Sequence, residues 1–174
     1  MDRHSLSVSP VAELIVRIAE QRESCSLQLA DRGLRIVAGE LVEVSATDSD
    51  VDLPEFLVRS GRLRAEQRDS LRARGAAEGR SLLELIRSAQ LLPELELKAQ
   101  QRALWLERLT RALRKQGLEP LPESSKSALP SELAPGPLRV RVVPLLLDAQ
   151  SRLALEADAS EIGRRLELRL SFVE

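Results

Sequence analysis

The sequence predicts an α+β fold, built from a small antiparallel β-meander with packed helices and an inserted helical subdomain of two repeated hairpins. Three observations carry this prediction. Apolar residues alternate with polar ones soon after a first helical segment, a helical pattern then occurs twice, and alternation returns near the C-terminus. With 174 residues and 43% hydrophobic composition, the chain can bury the core of one domain. We expect four segments: an N-terminal helix plus three-strand meander (9–50), the helical subdomain (51–117), a Pro/Ser-rich linker (118–137), and a strand-helix-strand that completes the core (138–174).

The N-terminal segment predicts one helix followed by three strands. In VAELIVRIAEQ four apolar residues share a helical face, and Ser9 and Pro10 suit the cap and first turn. Gly-bearing breaks at 31–33 and 38–40 then divide three apolar runs, as in hairpins. A meander this small needs a helix on one face. The predicted inward residues are Val11, Leu14, Ile15 and Ile18 in the helix and Cys25, Leu27, Leu29, Leu34, Ile36, Leu41 and Val44 in the strands.

An internal repeat defines the helical subdomain. LPEFLVRSGRLRAEQ (53–67) and LLELIRSAQLLPELE (82–96) align at an offset of 29 residues. Each copy reads as a short apolar helix, a tight turn and the start of a second helix. RGAAEGRS (74–81) separates them, and its two glycines are expected to end one helix and free the next. The hairpins should share one apolar seam, composed of Phe56, Leu57, Leu63, Leu71, Leu85, Ile86 and Leu92.

The longest helix of this subdomain is predicted over 93–114 and supplies most candidate interaction residues. Its expected apolar stripe contains Leu95, Ala99, Leu106, Leu109 and Leu113. Trp105 has apolar neighbours, which favours a core position, although tryptophan is also common in interface hot spots. Glutamates interleave with the arginines, so the alternative to a basic stripe is a solvated face with ion pairs. The candidate interaction surface comprises Trp105, Arg102, Arg108, Arg111, Arg59 and Arg62.

The C-terminal third predicts a linker followed by a strand, a helix and a strand. Prolines and serines crowd 118–137, where no regular structure is expected. LRVRVV should be a strand and PLLLDAQSRLAL a helix. LELRLSFV alternates, so 166–173 should form a last strand that pairs with the meander, or between two chains in a homo-oligomer.

Composition and motifs exclude several functions. Lys+Arg 26 against Asp+Glu 27, with 2% aromatics, argues against nucleic acid as a partner. No apolar run suits a membrane span or a signal peptide, so we expect a cytoplasmic protein without membrane insertion. His4 stands alone, and Cys25 is predicted to be a small buried hydrophobe. The acidic TDSDVD (47–52) lacks the Gly and Glu of a calcium loop and should be a solvated loop with a helix cap. No catalytic residues, cofactor or metal ligands are predicted, hence no enzyme.

The order of these motifs resembles the PATAN-like family of bacterial regulatory domains. A helix, RGLRIVAGELVEVSAT, LPEFLVRSGRL and LLELIRSAQLL follow one another, and residues 39–42 (GELV) stand in the family's hairpin. The resemblance implies a non-enzymatic module of bacterial signalling or surface motility. It would bind a signalling, cytoskeletal or pilus protein.

The doubled hairpin also resembles the N-terminal regions of type II secretion and pilus assembly ATPases. Some of these bind cyclic di-GMP through two motifs that begin Arg-Leu-Gly. The corresponding residues here are Asp52-Leu53-Pro54 and Ser81-Leu82-Leu83, so both arginines and both glycines are absent. A cyclic-dinucleotide-sensing domain is therefore the alternative function.

Overall fold

The computed structural model describes residues 10–116, 126–128 and 138–170, with side chains for 10–116 and 138–160. It confirms the α+β class, because helices pack on an antiparallel sheet. Among the described residues, no helix is both long and apolar enough to cross a membrane. The elements in chain order are α1 (Pro10–Glu20), β1 (Cys25–Leu29), β2 (Arg32–Val37), β3 (Glu40–Val44), α2 (Leu53–Arg59), α3 (Ala65–Glu78), α4 (Leu82–Ser88), α5 (Glu94–Gln116), β4 (Lys126–Ala128), β5 (Val140–Arg141) and α6 (Val142–Leu170).

The predicted meander is confirmed at the centre of the sheet. β1 pairs with β2 and β2 with β3, both antiparallel. Ala38 and Gly39 form the second turn with positive φ, and a Cβ on Gly39 would lie 2.6 Å from the Ala19 backbone oxygen. Glycine is therefore required where this turn touches the end of α1. The first turn lies at Ala30 and Asp31, so Gly33, expected in the break, belongs to β2.

Two short edge strands extend the meander to the order β4-β1-β2-β3-β5. β4 comes from the segment that was expected to hold no regular structure, and this expectation was wrong at 126–128. Its three residues pair antiparallel with β1. β5 keeps only two residues of the predicted strand LRVRVV and pairs with β3.

The predicted C-terminal strand over 166–173 was wrong at every position that the structure describes. Residues 166–170 belong to α6, which runs from Val142 to Leu170, whereas 171–174 lie outside the described residues. The predicted helix PLLLDAQSRLAL is the first part of α6. Because residues 166–170 are helical, they do not supply the strand that was expected to pair with the meander or between two chains.

The main core lies between one face of the sheet and three helices. α1, the C-terminal half of α5 and the start of α6 contribute to one buried cluster. Cys25 is buried in it, as expected. Trp105, Leu106, Leu109 and Leu113 also belong to it, so α5 reaches from the helical subdomain into the main core.

The two hairpins repeat in backbone detail. α2 and α4 begin and end 29 residues apart, and α3 and α5 begin 29 residues apart. Asp52 and Ser81 cap the equivalent helices through the backbone N–H groups of Glu55 (2.8 Å) and Glu84 (3.3 Å). Gly79 ends α3 in the left-handed conformation, as predicted. Gly75, the other glycine, lies inside α3, and a Cβ there would be 3.1 Å from Leu82 Cδ2.

A second core fills the seam between the hairpins. It includes all the predicted residues except Phe56, which is buried outside this cluster. Leu97 is the missed member. The predicted α5 stripe was wrong at its start, because Leu95 and Ala99 are exposed. The buried residues of this second core are Leu57, Leu63, Leu71, Leu85, Ile86 and Leu97, with Leu92 half-buried against them.

Candidate functional site

Asp50 gathers arginines from the sheet and from α5 into one cluster. Its Oδ1 accepts hydrogen bonds from Arg32 Nη2 (2.7 Å) and Arg111 Nη1 (3.3 Å), and its Oδ2 accepts one from Arg32 Nη1. Arg108 Nε lies 3.8 Å from Oδ2. We call Arg32, Asp50, Arg108 and Arg111 the Asp50 junction, because they join the meander, the loop that leads to α2, and α5.

Burial sets the electrostatics of the Asp50 junction. The Asp50 side chain is 1% exposed and that of Arg32 4%. Hydrogen bonds from Arg32 hold the pKa of Asp50 at about 2, and the same bonds raise the pKa of Arg32. Burial lowers the pKa of Arg108, whose side chain is 12% exposed. The carboxylate therefore stays charged at neutral pH and compensates buried guanidinium groups.

The loop 45–52 places Asp50 through its own hydrogen bonds. The Asp50 carboxylate accepts from the Thr47 backbone N–H (3.0 Å), while the Asp50 N–H donates to the Thr47 carbonyl (2.9 Å). Two residues later Asp52 caps α2. The expectation of a solvated acidic loop was therefore wrong for Asp50, although the helix cap is confirmed. The sequence contains one signal of this junction: Arg32 stands at the start of β2, at a position that the alternation of the strand places inward.

Three of the predicted interaction residues meet at or beside the Asp50 junction. Arg108 donates to the Val44 and Val51 carbonyl oxygens, both at 3.2 Å, which ties α5 to the end of β3 and to the loop. Glu107 accepts from Arg111 and from Arg59, which also lies over the Phe56 ring at 5.3 Å.

The other predicted residues lie apart. Trp105 is 8% exposed and packs in the main core, which confirms its core position and removes it from the candidate surface. Arg108 is also removed from the candidate surface, because its side chain is largely buried. Arg62 pairs with Glu96 at 2.8 Å and Arg102 with Asp148 at 2.6 Å. The arginines of this face therefore form the ion-paired surface that was the alternative to a basic stripe.

Open cavities lie both on the hairpins and on the main core. A groove of about 250 Å³ lies between the hairpins, where α3 faces the α4–α5 turn. A larger cleft of about 600 Å³ lies on the main core, at the end of α1 and the start of α6. In the part of the chain with described side chains, no group of His, Cys, Asp and Glu residues is arranged to hold a metal ion. His4 lies outside the described residues.

Comparisons with known proteins add no relative. No family model matches the chain, and neither the curated proteins nor the solved structures contain a significant match.

Proposed function

We propose that this protein is a non-enzymatic interaction module whose helical subdomain docks on a protein partner. The observation that carries the proposal is the second hydrophobic core. The two hairpins bury their own seam, separate from the core of the sheet. They form a folded unit that shares the C-terminal half of α5 with the main core and otherwise packs on its own seam. Such a unit is suited to presenting a surface.

The groove between the hairpins is the part of this surface that fits a protein best. Half-buried Leu91 and buried Leu71 line it together with the polar side chains of Gln67, Ser70 and Arg74. Its volume of about 250 Å³ is below the ~300–1,000 Å³ of ordinary small-molecule sites. An apolar floor with a polar rim is the usual composition of a protein interface.

The pathway rests on the family resemblance. A PATAN-like module would act in bacterial signalling or surface motility, with a signalling, cytoskeletal or pilus component as partner. The ion pairs of Arg59, Arg62 and Arg102 flank the hairpins and α5, and they would form part of the polar rim. No nucleic acid is proposed, because the arginines of this face are already neutralised by carboxylates.

A cyclic dinucleotide fits the helix starts less well. Asp52 and Ser81 occupy the positions of the arginines in the ATPase motifs, and both side chains already accept from backbone N–H groups. Asp52 also pairs with Arg72 at 2.9 Å. A carboxylate at this end of α2 repels a phosphate, so we place this alternative second. Calorimetry with cyclic di-GMP tests it, and flat heats at high concentration would end it.

The experiment for the main proposal is affinity capture from a native bacterial lysate, followed by mass spectrometry. Ser70→Arg fills the groove from an exposed position, and Leu95→Asp places a charge on a residue that is 82% exposed. The matched control is Leu155→Asp on α6, where the leucine is 69% exposed. All three variants should keep the unfolding free energy within about 0.5 kcal/mol.

We expect Ser70→Arg to lose the partner that the wild type and Leu155→Asp retain. A photo-crosslinking residue at position 70, but not at 155, should trap the same partner. Retention of every partner by both hairpin variants would refute the proposal. Capture that requires added cyclic di-GMP would favour the alternative.

A further inference from the structure

The cleft on the main core is formed by three turns and lies outside the hairpins. The end of α1 provides Ala19 and Arg22, and the β2–β3 turn provides Ala38, Gly39 and Glu40. The β5–α6 joint provides residues 141–144. At about 600 Å³ the cleft falls within the ~300–1,000 Å³ of small-molecule sites. None of its lining residues belongs to the surface proposed for the protein partner.

The charge of this cleft is not compensated within the described residues. Arg22 and Arg141 are exposed and have no ion pair there, although most arginines of the hairpins and of α5 are paired. Glu40 is the acidic residue of the lining; it lies opposite Arg141 in the β3–β5 register and pairs with Arg139 at 3.6 Å. The remaining lining residues are small or apolar. Two guanidinium groups thus face a cleft whose other lining residues, apart from Glu40, are small or apolar.

The backbone conformation of Arg22 limits how this residue can be replaced. Its φ of 51° is left-handed, at the position that ends α1 and where glycine or asparagine is favoured. Ala30, Ala38 and Gln90 adopt a similar φ at other turns, so this conformation belongs to the turn and not to a ligand site.

Hydrogen bonds from backbone N–H groups fix one wall of the cleft. The Gly39 N–H donates to the Glu23 carbonyl (3.0 Å), and the Ala38 N–H donates to Ser24 Oγ (3.0 Å). These bonds hold the β2–β3 turn against the chain that follows α1. A preformed site loses less entropy on binding than one that must be ordered.

We propose that Arg22 and Arg141 bind an oxyanion, a phosphate or carboxylate group, in this cleft. The planar guanidinium fork can donate two parallel N–H bonds to two oxygens of either anion, and these hydrogen bonds are charge-assisted. The ligand would place its anionic group between the arginines and its apolar part against Ala19, Val142 and Val143. This site does not depend on the proposed protein-docking function, so a negative result for one would not affect the other.

The test is a titration of the full chain, labelled with ¹⁵N, with inorganic phosphate and separately with acetate at constant ionic strength in a chloride-free buffer. The backbone amide signals of Ala38, Gly39 and Val143 report on the cleft. Arg22→Asn removes the guanidinium while keeping a residue that tolerates the left-handed backbone. Arg141→Gln removes the second guanidinium. The matched control is Arg17→Gln. Arg17 is an exposed arginine of α1 that lies outside the cleft and has no ion pair among the described residues.

We expect saturable shifts with at least one anion, with affinity about tenfold weaker in either cleft variant and unchanged in Arg17→Gln. Saturation with phosphate alone would identify a phosphate site, and saturation with acetate alone a carboxylate site. Shifts that stay linear with both anions would overturn the proposal. Equal affinity in the wild type and in Arg22→Asn would overturn it too, because only general ion attraction would remain.

Discussion

Replacing Asp50 by asparagine should lower the free energy of unfolding by about 2–5 kcal/mol at pH 7. The upper part of this range is the usual cost when one partner of a buried ion pair is removed. Asparagine has nearly the shape of aspartate but no charge, so Arg32 and Arg108 would stay buried without the carboxylate that lies beside both of them. A loss of this size is large against the ~5–15 kcal/mol that stabilises a typical domain.

The pKa of Asp50 gives the lower part of the range. A value of about 2 in the folded protein, against an ordinary 3.8, corresponds to about 2–3 kcal/mol of stability at neutral pH. Because the folded pKa is the lower one, this stabilisation is complete above about pH 4. It disappears as the pH falls through about 2. The amide of the Asp50→Asn variant cannot titrate, so this variant should lack this part of the acid dependence.

Urea unfolding followed by circular dichroism, at pH 7 and at steps between pH 4 and pH 2, measures both effects. Asp48→Asn is the matched control, because Asp48 is an exposed carboxylate of the same loop. It should change the free energy of unfolding by less than about 0.5 kcal/mol. A loss below about 1 kcal/mol for Asp50→Asn, or an unchanged slope between pH 4 and pH 2, would refute the reasoning.

Two further substitutions test the packing. Gly39→Ala should destabilise the protein by more than about 2 kcal/mol, because the new Cβ would meet the Ala19 backbone oxygen. Gly61 has a similar φ of 70° but lies in open space, so Gly61→Ala should cost only about 1–2 kcal/mol. Thermal melts of the two variants measure the difference, and equal losses would contradict the prediction. Leu97→Ala should lower the free energy of unfolding in urea by about 2–5 kcal/mol, because Leu97 is fully buried in the seam. Leu95 is exposed, so Leu95→Ala should cost less than about 0.5 kcal/mol. Similar losses in the two variants would contradict the buried and exposed faces assigned to α5.

The elements that the sequence predicts well are those with local signals. The offset between the hairpins follows from short motifs, in which Asp52 and Ser81 cap the helices that come directly after them. The meander follows from alternation and from the Ala38–Gly39 turn. Such features depend on residues within a few positions of each other, so one sequence contains the information.

The Asp50 junction depends on contacts far apart in the chain. Asp50 meets Arg32 across 18 residues and Arg111 across 61. No local pattern distinguishes Asp50 from a solvated loop residue or Arg111 from a solvated helix residue. The wrong strand prediction at residues 166–170 has a different cause. Their Leu, Glu and Arg residues alternate, but they are also strong helix formers without β-branching, and helix α6 continues through them.

The unequal length of the repeated helices explains how a docking subdomain would affect the core. α3 has 14 residues and α5 has 23, although both begin at equivalent positions. Leu97 lies in the second core and Leu109 in the main core. Twelve residues of helix, about 18 Å, link these positions as one rod. A partner that shifts the hairpins must therefore move α5 within the main core, bend it, or break the contacts of Asp50. The duplication supplies a separate surface, and the extension of its last helix makes that surface rigid with the sheet.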